Sequence, residues 1–188
     1  MRVTTAAAAL FLLLVGGCAR PDAGSPAPGR SGPPAPGRSG PPAPEVHQRW
    51  ESCEVAAPAS ADDWFGAGRD ALGLPLLDDR FQAVAAVVCR VEPREKPGVG
   101  TEITAEELRA DDVTALLTTL RLPDEAATAE ACTEELPLVP WLALIDRDGR
   151  WIRPGIPVDS CHKPRTEFRQ AFGNLTTTLV TSRVLPGS

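Results

Sequence analysis

Five cysteines and two histidines carry most of the reactive chemistry available to this 188-residue chain. Cys18 stands apart, after an apolar run and two glycines, while Cys53, Cys89, Cys132 and Cys161 are spread through the remainder. Thiols and imidazoles in these numbers can hold zinc, but structural zinc sites place their ligands as Cys-x-x-Cys and His-x-x-x-His, and neither spacing occurs around His47 or His162. Asp146-Arg147-Asp148-Gly149 has the look of a calcium loop. With Gly149 as the loop glycine, however, the first and last ligand positions fall on Leu144 and Gly155, where carboxylates are required. No metal and no other cofactor is therefore expected. Gly-x-Ser-x-Gly and the phosphate-binding glycine loop do not occur. Asp62-Asp63 and Glu134-Glu135 are adjacent carboxylates, but neighbours in a strand point to opposite sides, so neither pair is expected to work as acid and base. No catalytic residue is expected, and the chain reads as non-enzymatic.

The four later cysteines need elements that bring them together. Pro140–Ile145 (PWLALI) is apolar and strand-like, Asp146–Gly149 is a turn, and Arg150–Arg153 resumes an extended pattern. An antiparallel hairpin about that turn leaves Cys132 and Cys161 about equally far from its tip on opposite arms, so they should bond, and Cys53–Cys89 follows by elimination. On the chain-entropy account, closing loops of about 30 and 37 residues would contribute about 3–4 kcal/mol each. Trp141 and Trp151 flank the turn and can meet across it.

Elsewhere Ala61–Leu72 suggests a short helix capped by Ser60, with Trp64 and Phe65 as a candidate aromatic binding surface. Gln82–Val91 (QAVAAVVCRV) reads as a central strand. Thr104-Ala-Glu-Glu107 matches a capping box, with Ile103 and Leu108 as a hydrophobic staple, and predicts a helix to Leu120. Its buried stripe would be Val113, Leu116, Leu117 and Leu120, and Pro123 would stop it. Leu175–Val184, rich in β-branched residues, reads as a last strand. The sum is an α+β fold: a mostly antiparallel sheet, one main helix packed on it and two disulfides.

The N-terminus supplies the location. Arg2 precedes an apolar segment, Ala6–Val15, that is too short to span a bilayer, and small residues follow. Val15-Gly16-Gly17-Cys18 resembles a bacterial lipobox. That resemblance implies cleavage before Cys18 and a diacylglyceryl group on its thiol, making residues 1–17 the signal peptide. Residues 26–33 and 34–41 are both PAPGRSGP, and nothing from 19 to 44 carries an apolar side chain larger than Ala or Pro. Such a segment cannot offset the entropy of ordering and reads as a tether, 18–44, leading to a domain at 45–188. Two acyl chains hold a protein on a membrane far better than one. The expected location is the outer face of the cytoplasmic membrane, with an even number of thiols oxidised in that compartment.

Charge narrows the partners. The domain holds 15 Lys and Arg against 24 Asp and Glu, a net of −9, whereas residues 1–44 carry +3. An acidic domain without a basic cluster argues against nucleic acid and against anionic lipid as ligands, and leaves an extracellular protein as a candidate partner beside the membrane reached through the anchor. Arginine outnumbers lysine 17 to 2, a usage expected of a GC-rich genome, and with the lipobox an actinobacterium is implied.

Taken together, "VVCRV", "TAEELRADDVTALLTTL", "AC", "WLALIDRDGRW" and "DSC" resemble a group of actinobacterial exported lipoproteins to which no activity is assigned. Cys132, Pro140, Asp148-Gly149, Trp151 and Cys161 also follow the order found in subtilisin-inhibitor-like proteins. That second resemblance implies a reactive bond two residues after the first cysteine, at Glu134–Glu135. Thr133 stands where those inhibitors carry proline, and Glu134 is unusual as a specificity residue.

Overall fold

The computed structural model describes residues 42–57, 68–98, 100–127, 131–134 and 138–185, all within one compact unit, 39–188. Cys18, Ser60, Asp62, Asp63, Trp64, Phe65 and Glu135 lie outside the described residues.

The architecture is α+β, built on one antiparallel six-stranded sheet. The strands are β1 (His47–Arg49), β2 (Ala83–Lys96), β3 (Gly100–Ala110), β4 (Trp141–Asp146), β5 (Arg150–Ile152) and β6 (Thr178–Val184), in the order β1-β5-β4-β2-β3-β6. The helices are α1 (Cys53–Ala56), α2 (Thr114–Leu120) and α3 (Thr166–Gly173), with a 3₁₀ turn at Arg69–Leu72. The central strands β2 and β4 are buried on both sides, which is why they read as unbroken apolar runs. Alternate residues sort cleanly. Ala86, Val88, Leu142, Leu144 and Ile152 pack under Leu116, Leu120 and Phe168 of the helices. Ala85, Val87, Cys89, Trp141, Ala143 and Ile145 form the other face, under Trp50, Cys53 and Ala56.

The hairpin forms as expected, with Leu144 opposite Ile152, Ile145 opposite Trp151, and Gly149 at φ 79°, where a side chain would be strained. Both disulfides pair as expected, Cys53–Cys89 and Cys132–Cys161, each with 5.6 Å between α-carbons. The first is buried. In the second, Cys132 is exposed and Cys161 half-buried.

Three expectations change. The helix expected from Thr104 to Leu120 is strand as far as Ala110 and helix only from Thr114. Thr104 Oγ1 donates to the Glu92 carbonyl rather than capping a helix, and Glu106 and Glu107 are buried on opposite faces. Helical propensity in "TAEEL" is overridden because β3 gains a ladder on each side, to β2 and to β6. Of the stripe, Val113, Leu116 and Leu120 are buried, whereas Leu117 is half-buried. Of the helix expected over Ala61–Leu72, the described part holds only the 3₁₀ turn. A helix that the pattern did not suggest, α3, packs beside α2 and against the sheet through Phe168.

Candidate functional site

β2 is longer than β4. From Arg90 onward β2 pairs only with β3, so the β2–β3 hairpin overhangs the end of the sheet. Pro93, which has no N–H to offer, falls in this one-sided stretch. The overhang, the segment Leu138–Pro140 entering β4, and α3 surround a cleft of about 490 Å³.

Each wall has a local cause. Gly68 admits Val139 so closely that a β-carbon there would lie 1.8 Å from the Val139 carbonyl oxygen, and this contact sets the path of the segment entering β4. Phe168 and Phe172, four residues apart on α3, stack with centroids 5.8 Å apart and turn one helix face to the sheet. Leu138 is 97% exposed at the rim. Arg90 stands opposite Glu106 in the β2–β3 ladder.

Glu106 is closed off from water and saturated. Its Oε2 accepts from Arg90 Nε at 3.0 Å and Nη2 at 2.9 Å, and its Oε1 accepts from Arg94 Nη2 at 2.5 Å. Burial by itself would raise the carboxyl; the hydrogen bonds and charge of Arg90 and Arg94 outweigh it and hold Glu106 below its ordinary 4.5. Arg90 also lies 3.4 Å from Glu92. Arg169 differs: it donates to Thr166 Oγ1 at 3.0 Å and has no carboxylate partner among the described residues. The cleft therefore has an apolar lining, one arginine fixed by Glu106, and one arginine with its charge unmatched.

The opposite face is closed by pins. The segment Trp50–Ala57 lies over β2 and β4, tied by Cys53–Cys89 and by Glu107, the neighbour of Glu106. Glu107 Oε2 accepts from the Cys53 N–H at 2.7 Å and Oε1 from Trp50 Nε1 at 3.2 Å. Trp141 and Trp151 do meet, at 6.2 Å, with Trp50 edge-on to Trp151 at 5.2 Å and His47 stacked on it at 4.2 Å. This cluster is a packed cover, with Trp141 buried beneath it.

A second depression, near the β4–β5 turn, is lined largely by charge, but Arg150 is bound to Asp146 and Asp148, and Arg80 to Asp78. The buried Asp146 organises the turn itself, accepting from the N–H groups of Asp148 and Arg150, each at 2.9 Å.

Of the residues singled out in the sequence, Glu134 is exposed in the short stretch Ala131–Glu134, anchored by Cys132–Cys161 and by Lys163 Nζ, which donates to Thr133 Oγ1. His47 and His162 are far apart in role: one stacks on Trp151, the other occupies a turn at φ 58°. Among the described residues, no group of three or more His, Cys, Asp and Glu is placed to hold a metal ion, and no helix is long and apolar enough to cross a membrane. The sequence also contains Ser160-x-x-Lys163, the spacing of a lysine-activated serine, but the Lys163 ammonium is engaged by Thr133.

The cleft residues Arg90, Phe168, Arg169 and Phe172, and Glu106 that holds Arg90, were not singled out by the sequence patterns. The available signals were Lys96-Pro-Gly-Val-Gly100, a hairpin turn between two extended runs, and the i, i+4 spacing of Phe168 and Phe172. Comparison with family models, with curated proteins and with solved structures found no match.

Proposed function

We propose that the chain is a lipid-anchored, extracytoplasmic binding module that holds its ligand in the cleft beside α3 and does no chemistry on it. The observation that carries this reading is the oxidised state of the domain. All four of its cysteines are paired in two disulfides, as suits an exported protein. The lipobox-like Val15–Cys18 supplies the anchor, and the proline-rich repeat supplies reach. Cys18→Ala should move the protein from the membrane fraction to the medium or to an unprocessed precursor. Mass spectrometry of the wild-type N-terminus should find a lipidated Cys18. An unmodified N-terminus beginning elsewhere would overturn the reading.

One observation favours a second reading, serine protease inhibition. Thr133 and Glu134 are exposed and held beside a disulfide, as a reactive segment must be. Titration of subtilisin-type and glutamyl-type proteases with the protein separates the two. The binding-module reading expects no tight inhibition; tight inhibition abolished by Glu134→Ala would put the inhibitor first.

A further inference from the structure

We infer that the cleft beside α3 takes a single-chain amphiphile with a carboxylate head: apolar body against Phe172, Val139 and Leu138, head on Arg169. The inference rests on the binding-module reading and names its ligand class. Charge complementarity chooses the sign of the head. In a domain of net charge −9, whose overall acidity argues against anionic lipid, the lining of this cleft holds two arginines, Arg90 and Arg169, and no carboxylate. Arg90 is bound by Glu106, so the unmatched charge falls on Arg169, whose planar guanidinium suits a carboxylate bidentately. A neutral head would leave that cation without a counter-charge, and a cationic head would be repelled by it; only an anion completes the set.

The lining chooses the body. The walls are aromatic and aliphatic, and Leu138, 97% exposed, has no apolar cover of its own. A volume of about 490 Å³ lies within the range of pockets for small ligands, which bury an apolar body and orient it by a few polar groups. An inorganic anion would leave Phe172 and Leu138 uncovered, and a neutral hydrocarbon would leave Arg169 unused.

The test uses the full chain carrying Cys18→Ser, so that no lipid of its own competes. Calorimetric titration with decanoate, 1-decanol and acetate separates the contributions of head and body. Decanoate should bind, 1-decanol about tenfold or more weakly, as expected for loss of a charge-assisted hydrogen bond, and acetate not measurably. Arg169→Gln should erase the preference for decanoate over 1-decanol. Leu138→Ser should weaken both. Arg169 and Leu138 are exposed, so both variants should keep the wild-type melting temperature.

Equal binding of decanoate and 1-decanol by the wild type, no effect of Arg169→Gln, or acetate binding as well as decanoate would each overturn the inference. So would tighter binding of the peptide N-acetyl-Leu-Leu-Glu-amide, which would reassign the cleft to a protein segment. Failure here with a lipidated Cys18 removes the ligand class and leaves the anchor. An unlipidated Cys18 removes the anchor while these titrations remain readable.

Discussion

On the helix face of the sheet, cover comes from large apolar side chains: Leu116, Leu120 and Phe168 close over Val88, Leu142 and Leu144. On the opposite face the sheet offers Val87, Trp141 and Ile145 beside the small Ala85 and Ala143, and the cover is a short segment that owns little apolar surface beyond Trp50. That cover is tied by a disulfide and by the carboxylate of Glu107, which accepts two hydrogen bonds. A layer held by non-directional burial can end where its helices end, and it leaves a cleft at the overhang of β2 and β3. A layer held by pins fits only where the pins are placed, and the depression beside it, at Ser52–Glu54, is small, about 120 Å³. On the proposed reading the open face is the binding face, and the pinned face is structural.

The contrast can be broken first on the helix face. Phe168→Ala should cost about 3–5 kcal/mol in denaturant unfolding, because the ring is fully enclosed and little can collapse into its place. On the pinned face, Cys53→Ala with Cys89→Ala should cost about 2–5 kcal/mol, the usual range for a native bridge in a small exported domain. Under native conditions a thiol reductant should open Cys132–Cys161 well before Cys53–Cys89, since only the former is accessible; peptide mapping after timed alkylation reads the order. The reverse order would mean that the segment over Cys89 opens readily and is not pinned.

Smaller effects sharpen the comparison. Glu107→Gln should cost about 1–3 kcal/mol, because an amide can accept from the Cys53 N–H but turns a donor toward Trp50 Nε1. Adding Trp50→Phe should return part of that loss, a coupling that a double-mutant cycle measures. Glu106 should be recognisable by its pH dependence, its contribution being present at neutral pH and lost in acid. Its folded carboxyl titrates below the ordinary 4.5, so its contribution is complete above that value and disappears as pH falls through the folded value. Glu106→Gln should accordingly flatten the acid limb of the stability curve and leave its shape near neutrality unchanged.

Legibility in the sequence followed the same division. The β4–β5 hairpin and both disulfides could be read because a tight turn fixes what lies on either side of it. Gly149 marks the turn, and the positions of Cys132 and Cys161 about it do the rest. β3 could not be read from its own residues. Thr104-Ala-Glu-Glu107 satisfies a helix start locally, and only its neighbours decide otherwise: Arg90 and Arg94 across the ladder for Glu106, Trp50 and Cys53 for Glu107. The cleft was hidden for the same reason, since Arg90, Glu106 and Arg169 come from three elements. Pro97-Gly98 was the overlooked signal, with Gly98 at φ 78° and Gly100 at φ 107° in the turn that makes the overhang.

The central claim is that ligand binds on the open face and not on the pinned one. Backbone amide shifts followed by NMR during decanoate titration test it most directly. The account predicts changes at Arg90–Val91, Val139–Trp141 and Phe168–Phe172, with Cys53–Ala57 and Trp151 unmoved. Changes centred on Trp50, Cys53 and Trp151, with α3 silent, would contradict it.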